Sequence, residues 1–525
     1  MQSSLNKRSF QLDMGLLRDV WRLALPVMLT NLLQTLVEVV DVFMVGRLGP
    51  IAIAAVGMSF TIRLLVLVMV LSVSAGAMSL VAQAKGARDP QRMSFVTRQA
   101  ISSGVLLSLL LTVLGLLTAR PILSWVNSGG DPLAVEIGTE YLQVLFVGTV
   151  FLILNIVFNR LMQGAGDTVT PLILTGALNF LNILLNYLFM FGFGPVPAYG
   201  VTGAAIGTVI SRGLGVVVVL YLFYSGKNVI KILPGTYWPH WQTFWDILTI
   251  GVPSGIQGVL RNGSRLLVIG IVTSTEVATY GAAALGIAMQ IEALAFMPVL
   301  GINVAATSLV GQALGAWQTD EARRRGNMAI GLGVVVMIVL ATPIWIFAPA
   351  ILRLFDPSAH PIVMSAGTEY MRINVLVLPL VGIAMVANGA LRGAGDSTPG
   401  MYSTFLTKGV VTVTLAYLFA IVLGYGSTGV WYALVIGSVL DAIYMGTRWR
   451  GSTWLSVALH KTEIYRRHLH KLSEMAQQRF LSDVRTPNMA RPTATEEIGE
   501  SGVVYRLEGG DVQVVFAGGG YEVNP

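Results

Sequence analysis

Gln34, Glu38 and Asp41 recur at spacings of four and three within an otherwise apolar stretch. Helical periodicity places all three on one stripe. An ionised side chain at the centre of a bilayer costs about 2.5 to 3.5 kcal/mol, so a carboxylate kept there marks a proton or cation site. Pro26 lies fifteen residues before Asp41 in the same stretch. A proline removes one backbone hydrogen bond and makes a helix easier to bend at that point, so Pro26 is the candidate hinge. A second set, Asn179, Asn182 and Asn186, is spaced three and four, and each amide needs a partner away from lipid. Carboxamides around a carboxylate make a chemically sensible coupling site, with Asn155, Asn159, Thr202 and Thr208 as candidates to line the rest of the cavity. The plainer alternatives are an Asp41 that caps a helix end and asparagines that only join helices.

A third set carries the opposite sign. Gln257, Arg261 and Arg265 are spaced four and four, with Glu292 further along. Two readings stand: a charge-neutralising pair between Glu292 and one arginine, or an arginine facing the cavity and favouring cargo with an anionic group. Lys408 and Asp441 read as a structural pair, and Arg63 and Arg212 as side chains snorkelling to the headgroup layer.

These residues sit on segments long enough to span a membrane. The 525 residues are 54% hydrophobic and 12% charged, where soluble domains carry ~25% charge, and the mean hydropathy is +0.70. Apolar blocks of about twenty residues or more cross a hydrocarbon core as helices. Twelve are expected, at 20–46, 53–80, 97–119, 139–163, 170–193, 201–224, 246–273, 278–308, 325–348, 368–390, 400–423 and 428–447. The chain also repeats itself. Val81–Ala87 returns as Val310–Ala316, Gly164–Thr168 as Gly393–Ser397, and Glu140-Tyr141 as Glu369-Tyr370, all three at one identical offset. Pro26 with Pro253, and Gly200–Gly203 with Gly426–Gly429, repeat at an offset only slightly shorter. Duplication in an apolar chain builds two lobes around a central cavity. The expected fold is therefore an all-α integral membrane protein, twelve transmembrane helices in two pseudo-symmetric six-helix bundles.

The expected organisation is an N-terminal segment (1–19), a first lobe (20–224), an inter-lobe linker (225–245), a second lobe (246–447) and a largely flexible tail (448–525). Within the tail, 460–481 is basic and helix-compatible, 482–502 reads as flexible, and 503–516 carries a hairpin signal around Glu508–Asp511. Basic residues concentrate in the N-terminal segment, the second, sixth and eighth loops and the tail, which predicts both termini in the cytoplasm. The net charge of +7 follows from those scattered flanking residues, so nucleic acid is not an expected partner. There are no cysteines, hence no disulfide or thiolate metal site, and no cleaved signal peptide is expected. The Gly-Ala-Gly-Asp turns lack the Gly-Lys-Ser/Thr ending of a nucleotide loop and follow apolar helices. No enzyme constellation, metal site or cofactor is expected, and transport would run on an ion gradient.

Leu25-Pro26, Asn31–Thr35 and Val40–Gly49 together resemble the first span of the MATE (multidrug and toxic compound extrusion) transporters. Gln83–Ala87, Leu161–Thr168, Phe296–Pro298 with Leu309–Gln312, and Leu391–Asp396 are similar to other signatures of that family, over residues ~15 to 447. The resemblance implies export of compounds against H⁺ or Na⁺ influx by lobes that open alternately to each side. It matches Asp41 to the first-lobe acid linked to cation coupling and Asn182 to a neighbouring polar ligand. Asn186 stands where some members carry a second aspartate. Two second-lobe acids of the NorM-like branch are missing, Arg261 lying near one position and Leu380 near the other. That departure favours the DinF-like branch and proton coupling. The coupling ion is thus H⁺ in preference to Na⁺, acting at Asp41, Asn182 and Asn186. Gln34, Glu38, Asn155, Asn159, Asn179, Thr202, Thr208, Gln257 and Arg261 line the substrate cavity. The expected protein is a monomeric multidrug antiporter of a prokaryotic cytoplasmic (inner) membrane, with organic small molecules and membrane lipid as its partners. Two alternatives remain: a flippase for lipid-linked or other anionic amphiphiles, and a membrane sensor signalling through its C-terminal tail.

Overall fold

The computed structural model describes residues 14–127, 130–275, 278–355 and 360–458, with strand segments at 494–499, 502–507, 513–516 and 522–524. The first repeat forms α1 (Met14–Gly46), α2 (Pro50–Gly86), α3 (Pro90–Val126), α4 (Pro132–Val147), α5 (Thr149–Gly164), α6 (Val169–Phe191) and α7 (Gly200–Tyr224). The second forms α8 (Trp241–Thr273), α9 (Ala278–Gly315), α10 (Thr319–Ile346), a short α11 (Ala348–Phe355), α12 (Pro361–Val375) and α13 (Leu378–Gly393). It continues through α14 (Thr398–Thr404), α15 (Val413–Tyr417) and α16 (Gly426–Arg450), with π-helical turns at Phe405–Thr412 and Leu418–Val422 on either side of α15.

Two spans are bent, α4 against α5 by 53° and α12 against α13 by 54°. The breaks fall at Gly148 and at Leu376-Val377, equivalent places in the two repeats, so the bend belongs to the duplicated unit. With each bent pair counted once, and α14 to α15 with their π turns counted once, the chain crosses as twelve helices in two bundles. Among the described residues nine helices are individually long and apolar enough to span, or eleven segments with the bent pairs. The remaining span is α8, 33 residues long, whose apolarity is diluted by Gln257, Arg261, Asn262 and Arg265. Several helices outrun the bilayer: α2 and α3, at 37 residues each, are about 55 Å long.

The lobes exchange the first halves of α1 and α8. Leu16, Val20, Leu23 and Ala24 of α1 pack on Val299 and Ile302 of α9 in the second-lobe core. Reciprocally, Ile247 and Ile250 of α8 join Val70, Val73 and Ala77 of α2 in the first-lobe core. The far halves return to their own lobes, Met44 and Val45 beside Tyr141 and Met190, and Val268 and Val272 beside Trp431. Pro26 and Pro253 sit at the two changeovers. Pro26 has no amide hydrogen for the Arg22 carbonyl, and that oxygen accepts from Thr168 Oγ1 at 3.4 Å. One residue from the equivalent place, Ser397 donates to the Ile250 carbonyl, three residues before Pro253. The fifth residue of each Gly-Ala-Gly-Asp-Thr/Ser motif therefore tends a proline notch.

The repeated glutamines close the joint between lobes. Ser79 Oγ and Gln83 Nε2 of α2 donate to the Gly393 carbonyl at 3.3 and 3.2 Å. Ser308 Oγ and Gln312 Nε2 of α9 donate to the Gly164 carbonyl, both at 3.1 Å. Each bond has its twin at the equivalent position of the other repeat. Backbones touch here: a Cβ on Gly86 would lie 1.8 Å from the Gln312 carbonyl oxygen, and one on Gly315 would lie 2.0 Å from that of Gln83. These inter-lobe bonds gather at the end of the molecule where α1 begins. The linker is strapped to α3 at the same end by Arg98, which donates to the carbonyl of Leu233 and, at 3.3 Å, to that of Thr236.

The tail strands β1 (Ala494–Gly499), β2 (Gly502–Leu507), β3 (Gln513–Phe516) and β4 (Glu522–Asn524) form an antiparallel sheet in sequence order. The expected hairpin is β2 with β3. β1 falls in the stretch expected to be flexible; it pairs along β2 from Ala494–Leu507 to Gly499–Gly502, as a hairpin needs further strands for stability. The basic stretch 460–481 lies outside the described residues.

Candidate functional site

The two polar stripes of the first lobe meet. α1 and α6 pack so that Asn186 Nδ2 donates to Asp41 Oδ1 at 2.9 Å. Asn182, one turn away on α6, exchanges amide bonds with Asn186 at 3.2 and 3.3 Å. Asn182 Nδ2 also reaches Thr208 Oγ1 at 3.2 Å and Ser211 Oγ at 3.3 Å on α7. Asn186 is fully buried and Asn182 nearly so, whereas Asp41 is half-buried. The amides are thus committed to the carboxylate and to each other, and one edge of Asp41 stays open. The site needs a bare backbone on α7, since a Cβ on Gly207 would lie 2.4 Å from Asn186 Oδ1 and 2.7 Å from its backbone nitrogen.

Charges surround this cage. The guanidiniums of Arg63 and Arg212 and the carboxylate of Glu38 all act electrostatically on Asp41. Arg63 donates to Tyr141 Oη at 3.2 Å, and Arg212 feels Arg63, Tyr141, Asp41 and Glu38. Both arginines therefore face the lobe interior, which corrects the expectation that they snorkel to headgroups. The adjacent carboxylate is the physical reason, because a buried guanidinium is better served by an opposite charge than left unpaired. Gln34 and Glu38 are exposed along the same α1 stripe.

Other candidates are placed elsewhere. Thr202 donates to Glu140 Oε2 at 3.3 Å at an exposed site. Its twin is the Thr428–Glu369 bond at 2.8 Å, so the pair is part of the duplicated scaffold rather than of the asymmetric cage. Asn155 donates to the carbonyls of Phe151 and Arg212, both at 2.8 Å, and so staples α5 to α7. Asn159 is half-buried and among the described residues makes no hydrogen bond to the cage. Asn179 has a buried Nδ2 without a partner, one turn along α6 from Asn182.

The second lobe holds a different polar core. Gln257 donates to Thr404 Oγ1 and accepts from Asn388 Nδ2, both at 3.1 Å. Lys408 donates to Ser438 Oγ at 2.8 Å and Ser403 donates to Asp441. Lys408 and Asp441 interact electrostatically but form no ion pair among the described residues, so each is held by a serine instead of by the other. Glu292 faces Tyr370, with Lys408 and Arg265 acting on it from a distance. Arg265 itself is exposed and donates to Met289 Sδ at 3.0 Å, not to Glu292. Arg261 feels Asp441 and is exposed. Sequence reasoning missed Ser211, Asn388 and Thr404, whose short side chains carry no signal until the helices are packed. It also passed over Arg160 and Arg392, which sit outside any stripe.

A family model described as MatE matches residues 26–188 and 253–418. A probable multidrug resistance protein NorM from Thermotoga maritima is 29% identical over 430 residues, covering 82% of this chain and 90% of that one. Among solved structures, an outward-facing multidrug resistance MATE family transporter of the MOP superfamily superposes with a TM-score of 0.75 at 26% identity, covering 85% of this chain and 99% of that one. A MOP superfamily transporter from Pyrococcus furiosus, described as having a binding pocket of reverse polarity that suggests a different function, gives 0.73 at 26% identity, with 85% and 99% covered. Because the family model spans both repeats, this chain belongs to the MatE family of multi-pass membrane transporters.

Proposed function

We propose that the protein is a cation-coupled antiporter that exports amphipathic organic compounds across a prokaryotic cytoplasmic membrane, with both termini in the cytoplasm and H⁺ preferred over Na⁺. The observation that carries this reading is the 2.9 Å bond from Asn186 to Asp41, at a position whose twin in the second lobe is the buried, apolar Val268. Packing does not demand an acid in one lobe only. The cage presents amide hydrogens to Asp41, whereas a metal cation is held by oxygens; this supports the proton. The absence of acids at Arg261 and Leu380 supports placement in the DinF-like branch for the same reason.

In the proposed cycle, protonation of Asp41 from outside removes the charge that Asn186 serves. The outer half of α1 is then free to bend at Pro26, where one backbone bond is already missing. The first-lobe cavity narrows and cargo leaves outward. For the lobes to rock inward, the four Ser/Gln bonds to Gly164 and Gly393 must open. At about 1 kcal/mol net for each hydrogen bond, that joint is strong enough to hold one state and weak enough to cycle. The test is efflux of cationic, neutral and anionic dyes from proteoliposomes under separately imposed pH and Na⁺ gradients. Efflux driven by a pH gradient alone is expected; efflux driven only by Na⁺ would overturn proton coupling.

A further inference from the structure

Three arginines converge where the second-lobe core meets the joint between lobes. Arg160 lies on α5 one turn before Gly164, and Arg392 on α13 immediately before Gly393, the two glycines whose carbonyls receive the inter-lobe bonds. Arg392 interacts electrostatically with both Arg160 and Arg261, so guanidiniums from both lobes share one region. The charged groups that act on Arg392 are both arginines. Arg392 Nε is buried without a hydrogen-bond partner, and Arg160 spends one nitrogen on Gln163 Oε1 at 3.2 Å. None of the three forms an ion pair among the described residues. The acids nearby in sequence are engaged elsewhere: Asp396 lies 3.9 Å from Arg448, and Asp167 accepts from Thr170 N and Asn228 Nδ2 at 3.0 and 2.8 Å. Asp441, which also accepts from Ser403, is the one acid that acts on Arg261 among the described residues, and it forms no ion pair with it. Arg261, one turn from the Gln257–Asn388 bond, is exposed, which leaves the region open on one side.

Like charges gathered in a partly buried region, one of them with a buried donor unmet, raise the energy of a fold unless something of opposite charge joins them. We propose that Arg160, Arg261 and Arg392 form a binding site for an oxyanion, a carboxylate or phosphate group, and that the cargo of this transporter includes amphiphiles carrying such a group. The guanidinium fork matches the geometry of both anions. Because the site draws on both lobes, the anion bridges them, and its release accompanies their separation. This inference rests on the proposal that the protein carries organic cargo, but it is tested without any gradient.

The test uses the full chain in lipid nanodiscs and three matched amphiphiles that differ only in bearing a carboxylate, an amide or a trimethylammonium group. Equilibrium binding and thermal stability are followed together. The carboxylate probe is expected to bind about tenfold more tightly than the amide, the worth of one hydrogen bond to a charged group, and to raise the wild-type melting temperature. Arg160→Gln and Arg392→Gln should each remove that preference, leave the trimethylammonium probe unaffected and, without ligand, melt no lower than wild type. Asp41→Asn should keep the preference even though it stops coupled efflux, so failure of the antiport reading is separable. Displacement of the carboxylate probe by inorganic phosphate supports the site with a free anion as occupant. No displacement, with the preference intact, supports it with the amphiphile headgroup. Equal binding of carboxylate and amide probes, or a preference untouched by both arginine variants, overturns the proposal.

Discussion

The two lobes were cast from one template and then given different chemistry. At the offset that aligns Pro26 with Pro253, Gln34, Glu38 and Asp41 correspond to Arg261, Arg265 and Val268. What is duplicated is the mechanical part: the bent spans, the proline notches tended by Thr168 and Ser397, the Glu140–Thr202 and Glu369–Thr428 pairs, and the glutamine joint. What diverges is the interior charge. The lesson is that duplication fixes the frame, while the interior charge is where the two halves differ.

The comparison is best broken at its most unequal position. Asp41→Asn is expected to reduce gradient-driven efflux to the level of empty vesicles at normal expression. Retained efflux would remove Asp41 from the mechanism. Transplanting the acid should not rescue it. Val268 is 2% exposed within an apolar core, so Val268→Asp buries a carboxylate with no amide cage and is expected to cost at least ~3 kcal/mol. A near-native melting temperature would show that the second lobe hides a cage of its own. Asn186→Leu should cost about 1–3 kcal/mol by leaving Asp41 and Asn182 unsatisfied and should lower efflux, with Asn186→Asp tested alongside for a shift from H⁺ toward Na⁺ coupling. The smallest effects test the symmetric part. Gln83→Leu and Gln312→Leu should each cost about 1 kcal/mol and match one another in thermal melts. Unequal losses would mean that the joint is not shared evenly.

Much of this was legible in the chain. Apolar blocks of spanning length allow only helices, and echoes at one constant offset require two like bundles, so fold class needed no coordinates. The union of Asp41 with Asn182 and Asn186 was also readable, because polar stripes on membrane helices have nowhere to turn but toward each other. Arg63 and Arg212 were misread for the converse reason. A lone arginine in a span is satisfied by headgroups or by a buried carboxylate, and only helix rotation decides which. Thr202 and Asn155, read as cavity residues, are bonded to Glu140 and to the carbonyls of Phe151 and Arg212, contacts that hydroxyls and amides carry no sequence signal for.

Composition and period therefore settled the frame, its count of spans, its duplication and the one-sided acid, because those follow from solvent and repeat alone. The tertiary structure decided which polar atoms are spent on each other and which are left over. That depends on rotation and register between helices, to which an apolar sequence is indifferent. The 2.9 Å reach from Asn186 to Asp41 and the unpartnered nitrogen of Arg392 exist only once twelve helices have chosen their neighbours.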